Sequence, residues 1–213
     1  MKSLFILALF ILILEGCGES STKTDNSKNV LWPLAIGNSW TSVYYTTHDL
    51  NNDTIKHDNY STTYVSDVIN LEGETWYVIA SNGKISENII TNRSDGIYGI
   101  YRKLNENGEI SYNLDSARRA YKYPVVLHES YPINQNNNGF YIADINARII
   151  TKAGTFSCIK YVPIEYKDVE NFGFYICPGI GLIKSVSITY INETQNGPDT
   201  SWVVQELVNY TIR

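Results

Sequence analysis

Runs of strand-forming residues separated by turn sequences constrain the fold of this chain more than any other feature. From Val30 onward the sequence is rich in Tyr, Ile, Val, Thr and Asn, and turns such as Ser81-Asn82-Gly83 and Ser94-Asp95-Gly96 divide it into short alternating segments. β-Branched and aromatic residues favour pleated strands, and Asn or Asp beside Gly supplies the positive φ that tight hairpins need. The pattern therefore predicts an antiparallel meander.

Ten segments follow this pattern and define the expected fold class. We predict strands at Ser39–Thr47, Asn59–Ile69, Thr75–Ala80, Glu87–Asn92, Gly96–Leu104, Gly139–Thr151, Thr155–Tyr166, Phe174–Ile176, Leu182–Asn192 and Ser201–Ile212. Leu114–Tyr121 has helix-like composition but is long enough only for a turn or two. The sequence predicts an all-β, mainly antiparallel protein with a single curved sheet or incomplete barrel of about ten strands and at most one short helix. A β-sandwich is the alternative.

The N-terminus has the organisation of an export signal. Lys2 is followed by an unbroken apolar run from Leu4 to Leu14 and then by Glu15-Gly16-Cys17. A run of this length is too short to span a bilayer and matches the central region of a signal peptide. Leu14 and Gly16 predict cleavage after residue 16 and lipid attachment to Cys17, with residues 17–29 forming a polar, flexible tether. Cleavage elsewhere, which would leave Cys17 as an ordinary thiol, is the alternative.

Charge and hydropathy limit the partners. The chain has 17 Lys and Arg against 22 Asp and Glu, a net charge of -5, whereas nucleic-acid binding needs clustered basic residues. No later apolar stretch is long enough to cross a membrane, so attachment is predicted through acyl chains on Cys17, palmitate among them. Gly18 stands where an Asp would retain some lipoproteins in the inner membrane, which favours the outer membrane of the bacterial cell envelope.

One segment recurs within the predicted β region. Trp32–Trp40 aligns without gaps to Tyr123–Tyr131, 91 positions later; both have an aromatic residue before Pro, an apolar triplet, and then Ser and an aromatic residue. Proline disfavours helix in the preceding residue, so each copy is expected to be an extended lead-in to a strand. We predict that residues 30–213 form one domain with two related halves whose lead-in aromatics cover the sheet. Aromatics that form a ligand platform are the alternative.

Three short motifs resemble a group of bacterial lipoproteins that has no assigned reaction. They are Trp32-Pro33-Leu34-x-x-Gly37-Asn38-x-Trp40, Ala153-Gly154-Thr155-Phe156-x-Cys158 and Pro178-Gly179-x-Gly181-Leu182-x-Lys184. The resemblance extends roughly from Leu31 to Ile212 and implies an exported, all-β, single-domain lipoprotein. More distantly, the chain is similar to open-barrel periplasmic proteins of the lipoprotein-carrier type, which implies a curved sheet around an apolar ligand.

Cys158 and Cys177 are the remaining cysteines, and an exported protein meets an oxidising environment. If the segments Thr155–Tyr166 and Phe174–Ile176 pair around a turn at residues 167–168, the numbers of paired residues sum to about 335. Cys158 then lies opposite Cys177. We predict a disulfide between them, with two buried free thiols as the alternative.

No catalytic or metal site is predicted. Asp49-x-Asn51-x-Asp53 matches the start of a calcium loop, but Thr54 and Tyr60 replace the Gly and Glu that such a loop needs, so a hairpin turn is predicted there. The sequence contains no recognisable nucleophile motif and no phosphate-binding Gly loop. We expect neither a cofactor nor enzymatic activity.

Two functions remain open. The first is a non-enzymatic envelope lipoprotein whose curved sheet binds an apolar small molecule or docks an envelope protein. The second, suggested by the abundance of Tyr, Trp and Asn, is a glycan- or peptidoglycan-binding module, because these residues stack on sugars and hydrogen-bond their hydroxyls. A concavity lined by aliphatic side chains would favour the first, and an exposed row of Tyr and Trp flanked by Asn would favour the second.

Overall fold

A computed structural model describes residues 30–213, apart from 49, 51–58, 105–106, 108, 134–137 and 195–196. The predicted signal peptide, Cys17 and the tether lie outside the described residues, and so do Asp49, Asn51 and Asp53 of the calcium-like sequence. In the part of the chain that is described, no helix is long and apolar enough to cross a membrane.

The described residues form thirteen strands and two single 3₁₀ turns. The strands are β1 (Ser39–Thr47), β2 (Asn59–Leu71), β3 (Glu74–Ser81), β4 (Lys84–Arg93), β5 (Gly96–Leu104), β6 (Ile110–Tyr112), β7 (Arg118–Lys122), β8 (Ser130–Pro132), β9 (Gly139–Thr151), β10 (Gly154–Pro163), β11 (Gly173–Cys177), β12 (Gly181–Thr194) and β13 (Gly197–Thr211). The 3₁₀ turns are Leu114–Ser116 and Ile164–Tyr166.

All thirteen strands belong to one antiparallel sheet. The strand order is β6-β5-β4-β3-β2-β1-β13-β12-β11-β10-β9-β8, and β7 pairs with β5 outside this path. Because β1 pairs with β13, with Ser39 opposite Thr211, the two meanders meet in the middle of the sheet. The end strands β6 and β8 are three residues long and do not pair with each other, so the sheet is open.

The sheet is strongly curved. Tyr121 of β7 stacks on Phe140 of β9 with ring centroids 5.2 Å apart, although these strands lie near opposite ends of the strand order. Tyr121 also meets Tyr161 of β10 edge to face at 5.2 Å. The two ends of the sheet therefore approach each other through aromatic side chains, and the predicted all-β, mainly antiparallel curved sheet is confirmed.

Strands are present at all ten predicted positions, and the differences lie at their ends and in three additional strands. The strand predicted at Thr155–Tyr166 ends at Pro163, where a 3₁₀ turn follows, and the segment Leu114–Tyr121 divides between the other 3₁₀ turn and β7. Strands β6 and β7 are not predicted from the sequence, because at three and five residues they are too short for a recognisable alternation. β8 is the strand into which the second lead-in segment is expected to run, although the sequence does not give its length.

The two lead-in segments, Trp32–Trp40 and Tyr123–Tyr131, form the same backbone turn. The amide of Asn38 donates to the carbonyl of Ala35 at 3.0 Å, and at the aligned positions the amide of Glu129 donates to Val126 at 3.2 Å. The turn residues with positive φ, also aligned, are Gly37 at 92° and His128 at 66°. The shared turn agrees with the sequence alignment, while the relationship between the two halves of the domain stays a prediction.

Each lead-in segment contributes its strand-opening aromatic residue to a different part of the core. Tyr131 belongs to a cluster with Leu31, Ile97, Phe140, Ile142, Ile159, Tyr161 and Ile176. Trp40 belongs to a second cluster with Leu34, Val65, Phe156, Cys158, Ile183 and Leu207. A third cluster contains Trp76, Val78, Ile89 and Ile100. The aromatics that open β1 and β8 are therefore core residues, as the structural interpretation of the repeat predicts.

We predict that Trp40→Ala and Tyr131→Ala each lower the free energy of unfolding by about 3 to 5 kcal/mol, the usual loss for a buried large aromatic residue. Trp40 is 3% exposed and Tyr131 4% exposed. Chemical denaturation of the two variants measures the loss. Tyr101, which is 70% exposed, provides the control, because Tyr101→Ala should change stability by less than about 0.5 kcal/mol. Unfolding midpoints that are unchanged in both variants would contradict the core assignment.

Candidate functional site

The first lead-in segment forms one wall of a cleft of about 610 Å³. The opposite wall comes from the start of β3 and the end of β4, and the C-terminus closes one side. The lining residues are Val30, Pro33, Leu34, Ala35, Asn38, Gly73, Glu74, Thr75, Tyr77, Thr91, Asn92, Ile212 and Arg213. The Trp32–Trp40 motif therefore borders this cleft.

The turn between β11 and β12 holds the lead-in segment in place. The indole N–H of Trp40 donates to the carbonyl of Ile180 at 2.6 Å, and the amide of Gly179 donates to the carbonyl of Val30 at 2.8 Å. Trp32 meets Trp40 edge to face, with ring centroids 5.4 Å apart. The third motif, Pro178–Lys184, thus contacts the first, Trp32–Trp40.

Gly181 is required by the close approach of Trp32. A Cβ atom at residue 181 would lie 2.7 Å from the indole ring of Trp32, and the φ of Gly181 is 107°, a conformation that other residues rarely adopt. A side chain at this position would push the indole away from the turn. The Gly in this motif therefore allows the lead-in segment to pack directly on the β11–β12 turn.

Two asparagines connect the lead-in segment to the other walls of the cleft. Asn38 is fully buried; its side-chain amide donates to the carbonyl of Pro33 at 2.9 Å, and its side-chain oxygen accepts from the backbone amide of Arg213 at 2.9 Å. The side-chain amide of Asn92 in β4 donates to the carbonyl of Trp32 at 2.8 Å. These bonds fix the relative positions of the lead-in segment, β4 and the C-terminus.

The rim of the cleft carries charges of both signs. Arg93 makes a bidentate ion pair with Glu74, with distances of 2.7 and 2.8 Å. The hydrogen bond from Arg93 holds the pKa of Glu74 below its usual value, so the carboxylate is ionised at neutral pH. On the other side, the guanidinium of Arg213 lies over Gly37, 3.0 Å from the position that a Cβ would take.

The cleft is lined in part by residues with hydrogen-bonding side chains. Glu74, Thr75, Tyr77 and Arg213 line it, beside the apolar residues Pro33 and Leu34. Among the residues that the structure describes, no group of three or more His, Cys, Asp and Glu side chains could hold a metal ion.

The site residues predicted from the sequence lie elsewhere. Cys17 is outside the described residues. Cys158 and Cys177 are opposite each other across β10 and β11, both as free thiols, and the disulfide between them stays a prediction. The sequence does not single out Glu74 and Tyr77, because β3 shows only ordinary alternation, or Arg213, which follows β13 without a motif of its own. Of the cleft residues, those of the Trp32–Trp40 segment are recognisable as a motif.

Comparisons with known proteins give distant likenesses. No protein-family model matches the chain, and no curated protein matches it. A solved structure of a candidate lipoprotein from Parabacteroides distasonis ATCC 8503 is 16% identical with a TM-score of 0.41, covering 86% of this chain and 99% of its own. A candidate exported protein with a YmcC-like fold from Bacteroides fragilis NCTC 9343 is 13% identical with a TM-score of 0.39, covering 86% of this chain and 100% of its own. At these TM-scores the likeness carries no argument about function.

We predict that Asn38→Ala lowers the free energy of unfolding by about 1 to 3 kcal/mol, because it leaves the buried carbonyl of Pro33 without a donor and frees the C-terminus. Urea denaturation measures this loss. Asn88→Ala is the matched control, since the Asn88 side chain is exposed and its loss should have little effect. Equal unfolding midpoints for Asn38→Ala and Asn88→Ala would show that the Asn38 bonds do not stabilise the fold.

Proposed function

We propose that the protein is a non-enzymatic lipoprotein of the bacterial cell envelope, attached to the outer membrane through Cys17, and that its β domain binds a glycan in the cleft beside the first lead-in segment. The apolar run and the Leu14-x-Gly16-Cys17 sequence support the attachment. Val30, the first described residue, is held by Gly179 at the edge of the cleft. The proposed tether therefore reaches the domain next to the proposed binding site.

The mixture of polar and apolar residues that line the cleft is the main support for a glycan ligand. Sugars present hydroxyls that donate and accept hydrogen bonds and C–H faces that pack on apolar surface. The residues that line the cleft include Glu74 with a carboxylate, Thr75 and Tyr77 with hydroxyls, and Arg213 with a guanidinium, beside the apolar Pro33. A volume of about 610 Å³ is within the range of small-molecule sites, about 300 to 1,000 Å³.

The interior of the curved sheet gives less support to an apolar ligand. Phe140 packs edge to face on Tyr161 at 6.1 Å and on Phe174 at 5.8 Å, and Tyr131 lies at 6.0 Å from the same ring. These side chains pack on one another within the curve of the sheet. An apolar ligand would have to displace core aromatics, at a cost comparable to the stability of the domain.

The anchor proposal predicts that Cys17→Ala leaves the protein uncleaved or moves it to the soluble fraction, because no acyl chain can be attached to Ala. Detergent partitioning and intact-mass measurement of the protein made in its own host test this. Cys177→Ala is the control and should leave partitioning unchanged. The anchor proposal is wrong if the Cys17→Ala protein partitions as the unmodified protein does and if its mature mass differs only by the Cys-to-Ala substitution.

The ligand proposal predicts that Tyr77→Phe and Glu74→Gln each weaken glycan binding about tenfold, equivalent to about 1.4 kcal/mol for a lost hydrogen bond. Soluble peptidoglycan fragments are the probe, and calorimetric titration of the full-length protein in detergent measures the affinity. Tyr101→Phe is the control: it removes a hydroxyl from an exposed side chain that does not line the cleft, so this variant should bind the glycan as tightly as the unmodified protein. Native mass spectrometry that finds a lipid rather than a sugar on protein from its own envelope would contradict the proposal.

A further inference from the structure

Cys158 and Cys177 lie side by side in the second core cluster. The β10–β11 ladder pairs Ile159 with Ile176 and Lys160 with Tyr175, which places Cys158 opposite Cys177 at the end of β11. Cys177 packs against the same buried cluster that contains Cys158. Directly opposed residues on neighbouring strands have Cβ atoms about 4.5 to 5.5 Å apart, and the Cβ atoms of a disulfide are about 3.5 to 4.5 Å apart. A bond between two cysteines in this position therefore needs only a small local movement.

The two thiols are not equivalent. Cys158 is completely buried, whereas Cys177 is partly exposed and lies 3.7 Å from the carbonyl of Pro178. The hydrogen bond with Cys158 lowers the pKa of Cys177 although burial opposes this, and the same bond, together with burial, raises the pKa of Cys158. Cys177 is therefore both the accessible sulfur and the first to become a thiolate, the form that attacks a disulfide.

We infer that Cys158 and Cys177 form a redox-modification site, in which exchange with a disulfide-bearing oxidant begins at Cys177 and ends with a bond to Cys158. The inference rests on the envelope location proposed above, since disulfides form and persist in oxidising compartments. The inference makes Cys177 the thiol that reacts first and Cys158 the thiol that closes the disulfide, an order that a predicted disulfide alone does not specify.

The exchange proceeds in two balanced steps. The Cys177 thiolate attacks one sulfur of the oxidant's disulfide, forms a mixed disulfide and releases the oxidant's other sulfur as a thiolate. Cys158 then loses its proton, attacks the Cys177 sulfur and displaces the oxidant's second thiolate. The protein loses two electrons and two protons and gains one S–S bond, and the oxidant's disulfide is reduced to two thiols.

A disulfide between Cys158 and Cys177 would restrain the turn on which the first lead-in segment packs. Cys177 directly precedes the turn at residues 178–181, whose Gly179 amide and Ile180 carbonyl hold Val30 and Trp40. Joining Cys177 to β10 ties this turn to a second strand through a covalent bond. Oxidised protein should therefore unfold at a higher urea concentration than reduced protein. In the oxidised protein, the turn that holds the lead-in segment against the cleft should also be less mobile.

The order of reaction can be tested on the unmodified protein. Reduced full-length protein, folded in detergent, is treated with a small amount of iodoacetamide, and each cysteine is followed by peptide mapping. We expect Cys177 to be alkylated at least tenfold faster than Cys158, and urea to remove the difference. Equal rates in the folded protein, or faster alkylation of Cys158, would overturn the assignment of Cys177 as the first reacting thiol.

Serine variants and oxidised glutathione test the exchange itself. With the unmodified protein, we expect the internal disulfide between Cys158 and Cys177. Cys158→Ser should stop at the mixed disulfide on Cys177, and Cys177→Ser should leave Cys158 unmodified while the protein is folded. A glutathione adduct on Cys158 in folded Cys177→Ser, or no internal disulfide in the unmodified protein, would overturn the inference. A cooperative urea transition confirms that each variant is folded.

A third experiment separates this inference from the proposed location. Cells are lysed in excess N-ethylmaleimide, and the state of both cysteines is mapped in the membrane and soluble fractions. A Cys158–Cys177 disulfide in the membrane fraction supports both proposals. Protein in the membrane fraction with both thiols alkylated would overturn the redox site while leaving the anchor intact. Protein in the soluble fraction that carries the same disulfide would support the redox site and contradict the anchor.

Discussion

The hydrogen bond from the Trp40 indole to the carbonyl of Ile180 joins parts of the chain that are 140 positions apart. In the strand order β13 lies between β1, which carries Trp40, and β12, which follows Ile180, so the indole reaches past one strand. Trp40 is buried, so its indole ring makes a large hydrophobic contact, and the hydrogen bond fixes the orientation of the ring within that contact. The position of the first lead-in segment, and with it the cleft, depends on this contact.

The main architecture could be predicted because its determinants are local. In β3 the buried side chains are Trp76, Val78 and Ala80, every second residue, and this period is visible in the sequence. The turn at Asn82 and Gly83 has positive φ at both positions, as an Asn-Gly hairpin turn requires. The register between β10 and β11 followed from the same reasoning, since the paired residues Ile159 and Ile176 have numbers that sum to 335.

The candidate site could be predicted only in part, because it is assembled from distant segments. Gly37 and Asn38 were recognisable as a motif, but the reason for Asn38 is its bond to Arg213, a residue 175 positions away. Glu74 and Tyr77 follow the ordinary alternation of an antiparallel strand and carry no separate signal. The expectation of an apolar ligand comes from composition and stays a prediction; composition does not show that the aromatic side chains of β7, β9 and β10 pack on one another.

The short strands at the margins of the sheet determine how neighbouring molecules can meet. At one margin β8 has three residues, and at the other β6 has three and β7 has five. At the end of β7 the Lys122 amide donates to the hydroxyl of Tyr131, and the Lys122 carbonyl accepts from the hydroxyl of Tyr161, so neither backbone group is open to another chain. Long unpaired margins are the usual starting points of edge-to-edge aggregation. β8, however, pairs only with Gly139–Tyr141, so in the described part of the chain the outer side of β9 from Ala143 to Thr151 has no strand beside it, and this is the margin that a strand from a second molecule can extend.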